Sequence, residues 1–341
     1  MKRLILLACI LVVPAALAYG QFRFIDIDCT AGGDTTARSI NNLGEIVGRT
    51  GPDQNGNDHA VMIKNGKCIP LAPNTILGTN WSEAWKNNDQ GDIVGYFEDD
   101  QGYPHGFLLS KKGVLTRLDF PGAGDTEAWG INNFGTVVGF FDDYDQYGNW
   151  IATHGFAWKN GSFFQLDYPG SGDTDVGGIN DFGAMVGYWD SGPTATVGHG
   201  FIRSITGKFI DYDVPITGVI NSQPNDINDL GLFVGLYADS SDVLHGFQQA
   251  GPSFATIDYP DAYQTTAWGI NTFGLIVGTH YNSASDADNG IPHGYVAYAK
   301  GKGNIEQYVP TLPALENDVS TRDSLAAPRP NTNAKRSFSV K

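Results

Sequence analysis

The sequence is short of positive charge, of cysteine and of long apolar runs, and each shortage closes a class of function. Lys and Arg number 21 against 37 Asp and Glu, a formal net charge of −16. A surface of that sign repels nucleic acid and anionic lipid, which sets both partners aside. The apolar run Leu4–Val13 falls short of the roughly 20 residues that a membrane span needs. No segment keeps a sustained helical apolar period, so the sequence reads as strands and turns throughout. There is no Gly-x-Ser-x-Gly elbow, no His-Glu-x-x-His, no phosphate loop and no cysteine paired with a histidine.

The N-terminus carries an export signal. Lys2 and Arg3, the run Leu4–Val13 and Ala16-Leu17-Ala18 give the positive, apolar and small-residue regions of a signal peptide over residues 1–18. Cys9 stands too near Lys2 and Arg3 for a lipoprotein box. The expected location is secreted, extracellular or periplasmic. Only Cys29 and Cys68 would survive cleavage. An even pair in an exported chain invites a disulfide. In the repeat frame described next, however, the two fall at opposite ends of neighbouring strands, which predicts that they stay unbridged.

What the chain does have is glycine, asparagine and periodicity. Asn-x-x-Gly-x-x-x-Gly occurs six times, opening at Asn41, Asn88, Asn132, Asn180, Asn228 and Asn271, at intervals of 47, 44, 48, 48 and 43 residues. Six of the seven histidines keep the same beat: His59, His105, His154, His199, His245 and His293. Each repeat divides into four short strands. In the clearest copy these are Glu127–Asn132, Thr136–Phe141, His154–Trp158 and Phe163–Tyr168, with a polar loop over Asp142–Thr153. Asn and Gly supply the positive φ of the tight hairpin at Asn132–Gly135, and Gly139 marks a close approach from a neighbour.

Four antiparallel strands every 47 residues or so make the blade of a β-propeller. The expected fold is all-β: six blades over residues 19–310, followed by a disordered tail over 311–341. Phe22–Asp28 and Ile305–Pro310 are both spare fourth strands, and either could close the ring. The repeat, with its His-Gly-Phe and Asp-Tyr-Pro segments, resembles the HAF family of extracellular bacterial repeats over about Phe22–Pro310. That resemblance implies a secreted repeat protein and no particular activity.

The repeated residues read as structure before chemistry. The Asn and Gly residues are what the hairpin requires. Each His opens a third strand away from the axis, where its ring nitrogens would bond loop backbone or the preceding Asp residues; His280 lies outside the pattern. Function is expected on the face that gathers the links from second to third and from fourth to first strands. These are the long, variable links, with Asp125, Asp142, Asp143 and Asp173 beside Trp150 and Tyr263 as ligand-binding candidates. Asp286 and Asp288 open a compressed Asp-rich loop, the candidate for calcium, and Asp53–Asp58 is a second such loop. The expectation is a monomeric binding module for an extracellular ligand, glycan or protein, with no nucleic acid and no membrane insertion. The alternative is a carbohydrate-active hydrolase or lyase using carboxylates of the loop-rich face.

Overall fold

The computed structural model describes residues 22–30, 34–72, 74–192 and 195–300. The signal segment, the strand expected at Ile305–Pro310 and the tail lie outside these. Twenty-four strands form six four-stranded antiparallel sheets. The first blade runs β2 (Thr35–Ile40), β3 (Ile46–Thr50), β4 (His59–Lys64) and β5 (Lys67–Pro70). The second runs β6 (Ser82–Asn87), β7 (Ile93–Glu98), β8 (Pro104–Leu109) and β9 (Leu115–Leu118). The third is β10 (Asp125–Ile131), β11 (Val137–Tyr144), β12 (Trp150–Lys159) and β13 (Ser162–Gln165). The fourth is β14 (Asp173–Ile179), β15 (Met185–Asp190), β16 (His199–Arg203) and β17 (Phe209–Tyr212). The fifth is β18 (Asn221–Ile227), β19 (Phe233–Ala238), β20 (Leu244–Ala250) and β21 (Ser253–Ile257). The sixth has β22 (Gln264–Ile270), β23 (Ile276–Tyr281) and β24 (His293–Ala299), and its outer strand is β1 (Phe22–Asp26).

The N-terminal strand therefore closes the ring, pairing Phe22 with Ala299 and Asp26 with Tyr295. The molecule is a six-bladed β-propeller. Two short helical pieces interrupt the strands, a 3-10 turn at Ile76–Gly78 and a helix α1 at Ala284–Asp288. The expectation of strands and turns alone missed both. A single turn carries too few residues to show a period.

Each hydrophobic cluster straddles one blade interface. Val94 and Leu118 of the second blade pack with Ala128, Phe141 and Phe156 of the third. The third residue of the His-Gly-Phe segments, Phe107, Phe156, Phe201, Phe247 and Tyr295, is fully buried in every case. The strand next to the axis carries a bulge in all six blades, at Arg38, Trp85, Trp129, Gly177, Asn225 and Trp268. A bulge leaves one residue unpaired and re-aims it.

The cysteine expectation is overturned: Cys29 and Cys68 form a disulfide, with Cα atoms 5.6 Å apart. The fourth strands are only four or five residues long, so the link leaving one blade passes within a side chain's reach of the next blade's outer strand. At the second-to-third interface the corresponding residues are Phe120 and Phe163, in edge contact at 5.4 Å. Tyr168 and Phe209 meet likewise at 5.5 Å, and Tyr259 and Phe24 at 5.2 Å. The disulfide takes the place of this aromatic contact at the interface of the sixth and first blades, one strand away from the β1–β24 pairing that closes the ring.

Candidate loop-face site and axial channel

One five-residue turn is used at both ends of the blades. At the tight-turn end, Asn132 Oδ1 accepts the N–H groups of Phe134 (3.1 Å) and Thr136 (3.0 Å), while Gly135 N–H donates to the Asn132 carbonyl. At the loop end, Asp99 Oδ1 accepts from Gln101 (2.9 Å) and Tyr103 (3.0 Å), and Gly102 N–H donates to the Asp99 carbonyl. Asp53, Asp145 and Asp239 repeat that loop-end pattern. This corrects the reading of the second-to-third links as long loops. In the second, third and fifth blades they are tight turns over 99–103, 145–149 and 239–243.

What the second side-chain atom does separates Asn from Asp. At the axis each Asn amide donates to the backbone carbonyl of the next repeat's Asn, from Asn41 to Asn88 and round to Asn271, whose amide returns to the Asn41 carbonyl at 3.2 Å. Six blades are thus tied head to tail. At the loop end the second carboxylate oxygen of Asp53, Asp99 and, more loosely, Asp239 meets a histidine, while that of Asp145 accepts from the Asn149 amide at 2.9 Å. His105 Nε2 is 3.2 Å from Asp99 and its Nδ1 is 3.0 Å from Asp119. The expected Asp before each His is present for His59, His105 and, more loosely, His154 and His245. A second partner, one or two residues past the end of the fourth strand, is Asp119, Asp167, Asp213, Asp258 or Asp28, and the sequence reading lacked it. His280 stacks on Tyr259 at 3.6 Å and lies 3.6 Å from Asp26.

Of the candidate ligand residues, three converge. Asp142 and Asp173 are buried and both hold Thr153. Asp142 accepts from its hydroxyl and Asp173 from its N–H, each at 2.8 Å, and Trp150 Nε1 donates to the same hydroxyl at 3.3 Å. Thr153 lies in the third blade and Asp173 in the fourth, so the carboxylates clamp an interface. Asp125 accepts from the Tyr144 hydroxyl, and Asp143 stands 3.6 Å from His154. Tyr263 belongs to the sixth blade, across the ring. Asp142, Asp143 and Trp150 are also strand residues, because β11 and β12 extend to eight and ten residues and leave only 145–149 as a turn. This hairpin outreaches its counterparts and exposes Tyr147, with Ile151 below it. Glu98, which sequence reasoning passed over, has its carboxyl pushed up by burial and then by the charges of Asp125 and Asp99.

Asp286 and Asp288 lie two residues apart in α1, where neighbours at that spacing face different sides. The Asp53 loop turns its carboxylate inward on Asn55, Asn57 and His59. Among the described residues no three His, Cys, Asp or Glu side chains gather as a metal would need.

Inside the channel the bulged residues stack. The Arg38 guanidinium lies 4.0 Å from the rings of both Trp85 and Trp268, and Trp85 stacks on Trp129 at 4.0 Å. Glu83 accepts from Arg38 at 2.7 Å. Lys86 is paired with Asp226. The channel is thereby filled around its middle. Toward the tight turns it opens into a shallow depression lined by Asn42, Asp89, Asn133, Asp181, Asp229 and Thr272. There Asp229 is pushed up by burial and by the neighbouring carboxylates.

No family model matches the chain, and no curated protein matches it either. Among solved structures it is similar to a variant of the Aleuria aurantia lectin in complex with α-methyl-L-fucoside. That match has 12% identity and a TM-score of 0.49, covering 81% of this chain and 95% of the lectin. It is also similar to the β-propeller domain of the Trilobed protease from Pyrococcus furiosus, at 10% identity and a TM-score of 0.42, covering 80% and 95%. Both are likenesses of fold, and the six-bladed architecture stands on the sheet topology itself.

Proposed function

We propose that the protein is an exported binding module of the HAF repeat type whose loop-rich face takes up a neutral extracellular glycan. The observation that carries this is the make-up of that face. None of the twelve links that reach it contains a Lys or Arg, while Tyr147 and Ile151 project from the overlong third-blade hairpin beside half-buried Trp150. Aromatic faces stack on sugar rings, and carboxylates and Asx side chains accept their hydroxyls, so the chemistry suits a polyol and disfavours an anionic one. The disulfide supports export, because such bonds persist in oxidising compartments.

A glycan array with the purified mature chain tests this. Binding to neutral glycans is expected, lost in a Tyr147→Ser, Ile151→Ser double variant of unchanged melting temperature, since both side chains are exposed. Signal that survives both substitutions would move the site elsewhere, and capture of Lys-rich peptides instead of glycans would recast the module as a receptor for basic protein. Product release from any polysaccharide above a heat-killed control would favour the hydrolase reading, with Glu98 and Asp125 as the first pair to substitute.

A further inference from the structure

The two families of identical turns differ at one position, and the difference has no structural cause. The residue two places after the Asx side chain is Asn55, Gln101, Tyr147 or Ser241 at the loop end. At the axial end it is Leu43, Gln90, Phe134, Phe182, Leu230 or Phe273. The hydrogen bonding of the two turns is the same, so the backbone does not ask for an apolar side chain. Nor does the core, since Leu43, Phe134, Phe182 and Leu230 are 66%, 69%, 68% and 67% exposed, and Phe273 42%. Single exposed apolar residues need no explanation, but five at one repeat position, circling one axis, make a surface.

The same face collects the lysines. The third-to-fourth turns lie beside the first-to-second turns at this end of the sheets, and they carry exposed Lys64, Lys67, Lys111, Lys112 and Lys208, with half-buried Lys159 bonding the Phe134 carbonyl. Of the carboxylates here, Glu45 is paired with Lys64, and Asp92 accepts the Lys111 N–H at 3.1 Å. Asp89, Asp181 and Asp229 are recessed in the axial depression. The charge of this acidic protein is therefore segregated between its two ends, and the exclusion of anionic lipid drawn from the net charge does not hold for this face. Six-residue strands separate the ends by about 20 Å at roughly 3.3 Å per residue. That is more than twice the Debye length of about 8 Å in physiological salt, so the acidic loop face is screened from whatever meets the opposite one.

We propose that the tight-turn face docks on an anionic lipid surface, with Leu43, Phe134, Phe182, Leu230 and Phe273 entering the headgroup layer and the lysines meeting its charge. The repeat symmetry sets the five tips at one level around the axis, which fits a plane better than a convex protein. Apolar tips within a basic collar are the composition of an interfacial contact. Among the described residues no helix is long and apolar enough to cross the bilayer, and the loop-rich face is left pointing away from it, open to ligand.

Cosedimentation of the full mature chain with vesicles tests the assignment, using phosphatidylcholine alone and phosphatidylcholine with phosphatidylglycerol. Binding is expected to the anionic vesicles and to weaken with salt. The triple variant Phe134→Ser, Phe182→Ser, Leu230→Ser should bind at least tenfold more weakly at an unchanged melting temperature. Lys111→Glu with Lys112→Glu should remove the preference for phosphatidylglycerol. The proposal is overturned if the wild type ignores the anionic vesicles, or if the triple variant binds them equally well. It is also overturned if size-exclusion chromatography shows an oligomer that the triple variant dissolves, because the occupant is then a second copy of the chain.

Discussion

Cys29 and Cys68 join the link that follows the ring-closing strand to the outer strand of the first blade. That link runs on into β2, so the chain is continuous from the sixth blade to the first, and the seam of the ring lies within the sixth blade, between β1 and β24. At three other interfaces an aromatic pair fills the position that the bond takes here.

Replacing both cysteines by alanine should therefore cost more than an ordinary core change. Constraining a loop of 39 residues removes unfolded-state entropy worth about 4 kcal/mol at 25 °C in the chain-entropy account. Denaturant unfolding of the double variant should show a loss of that order, and reductant should produce the same loss in the wild type. Coincident unfolding curves would mean that the bond adds nothing at this interface.

The two glycines of the repeat carry different demands, so alanine should rank them. Gly135 has φ +71° and open space where a Cβ would stand. Gly135→Ala should cost about 1 kcal/mol, with Gly135→Val worse at about 2 kcal/mol or more, since a β-branched residue resists positive φ. At Gly139 an added Cβ would stand 2.0 Å from the Glu127 carbonyl oxygen. Gly139→Ala must push two strands of one sheet apart beside the bulge, an overpacking of about 3 kcal/mol. Equal losses at the two positions in urea unfolding would contradict this account.

The sequence announced the repeat, the blade count and the tight turns because each rests on local chemistry at a constant spacing. Asn132 and Gly135 are three residues apart, and their roles can be read from them alone. The disulfide was not legible in the same way. Cys29 and Cys68 belong to different blades, and only alignment of Cys29 with Phe120 and of Cys68 with Phe163 brings them together. The loop-end turns had a visible signal, Asp-x-x-Gly at Asp53, Asp99 and Asp145, which matches Asn-x-x-Gly atom for atom. Among candidate site residues, Asp142, Asp173 and Trp150 stand out in the sequence as acidic and aromatic side chains, but their meeting at Thr153 depends on strand extensions that polar composition disguises as loop. The apolar collar is plain in the sequence at Leu43, Phe134 and Phe182, and it acquires meaning only once burial shows these side chains outside the core.

Asn and Asp are not interchangeable in these turns. Asn132→Asp keeps the acceptor for Phe134 and Thr136 but replaces the amide donor with a buried charge against the Asn180 carbonyl. A loss of about 2 kcal/mol or more is expected. Asp99→Asn keeps the same turn and presents an amide to His105, which a ring nitrogen can accept, so its loss should be the smaller of the two. Thermal or denaturant unfolding of the pair measures the asymmetry, and a reversed order would refute the ring of amide bonds as the reason for asparagine.

The histidine pairs give stability a defined pH dependence. His245 is held above 6.5 by its hydrogen bond to Asp258, against burial, with Asp239 adding to the effect. His293 is raised in the same way by Asp28. A raised value in the folded state means that the protonated ring is stabilised on folding. That contribution is complete below the unfolded value of about 6.5 and fades as pH rises through the folded value. Asp239 works in the opposite sense: the Val243 N–H lowers its carboxyl, so its contribution holds at neutral pH and is lost as pH falls through the folded value, below 3.8. The melting temperature should accordingly rise as pH is lowered from about 8 to about 6 and collapse only in strong acid. Asp258→Asn removes the charge that raises His245, so its melting temperature should change less over the neutral range than that of the wild type. A His245 ring titration by NMR at or below 6.5 in the wild type, or a variant curve parallel to it, would remove these pairs from the account of stability.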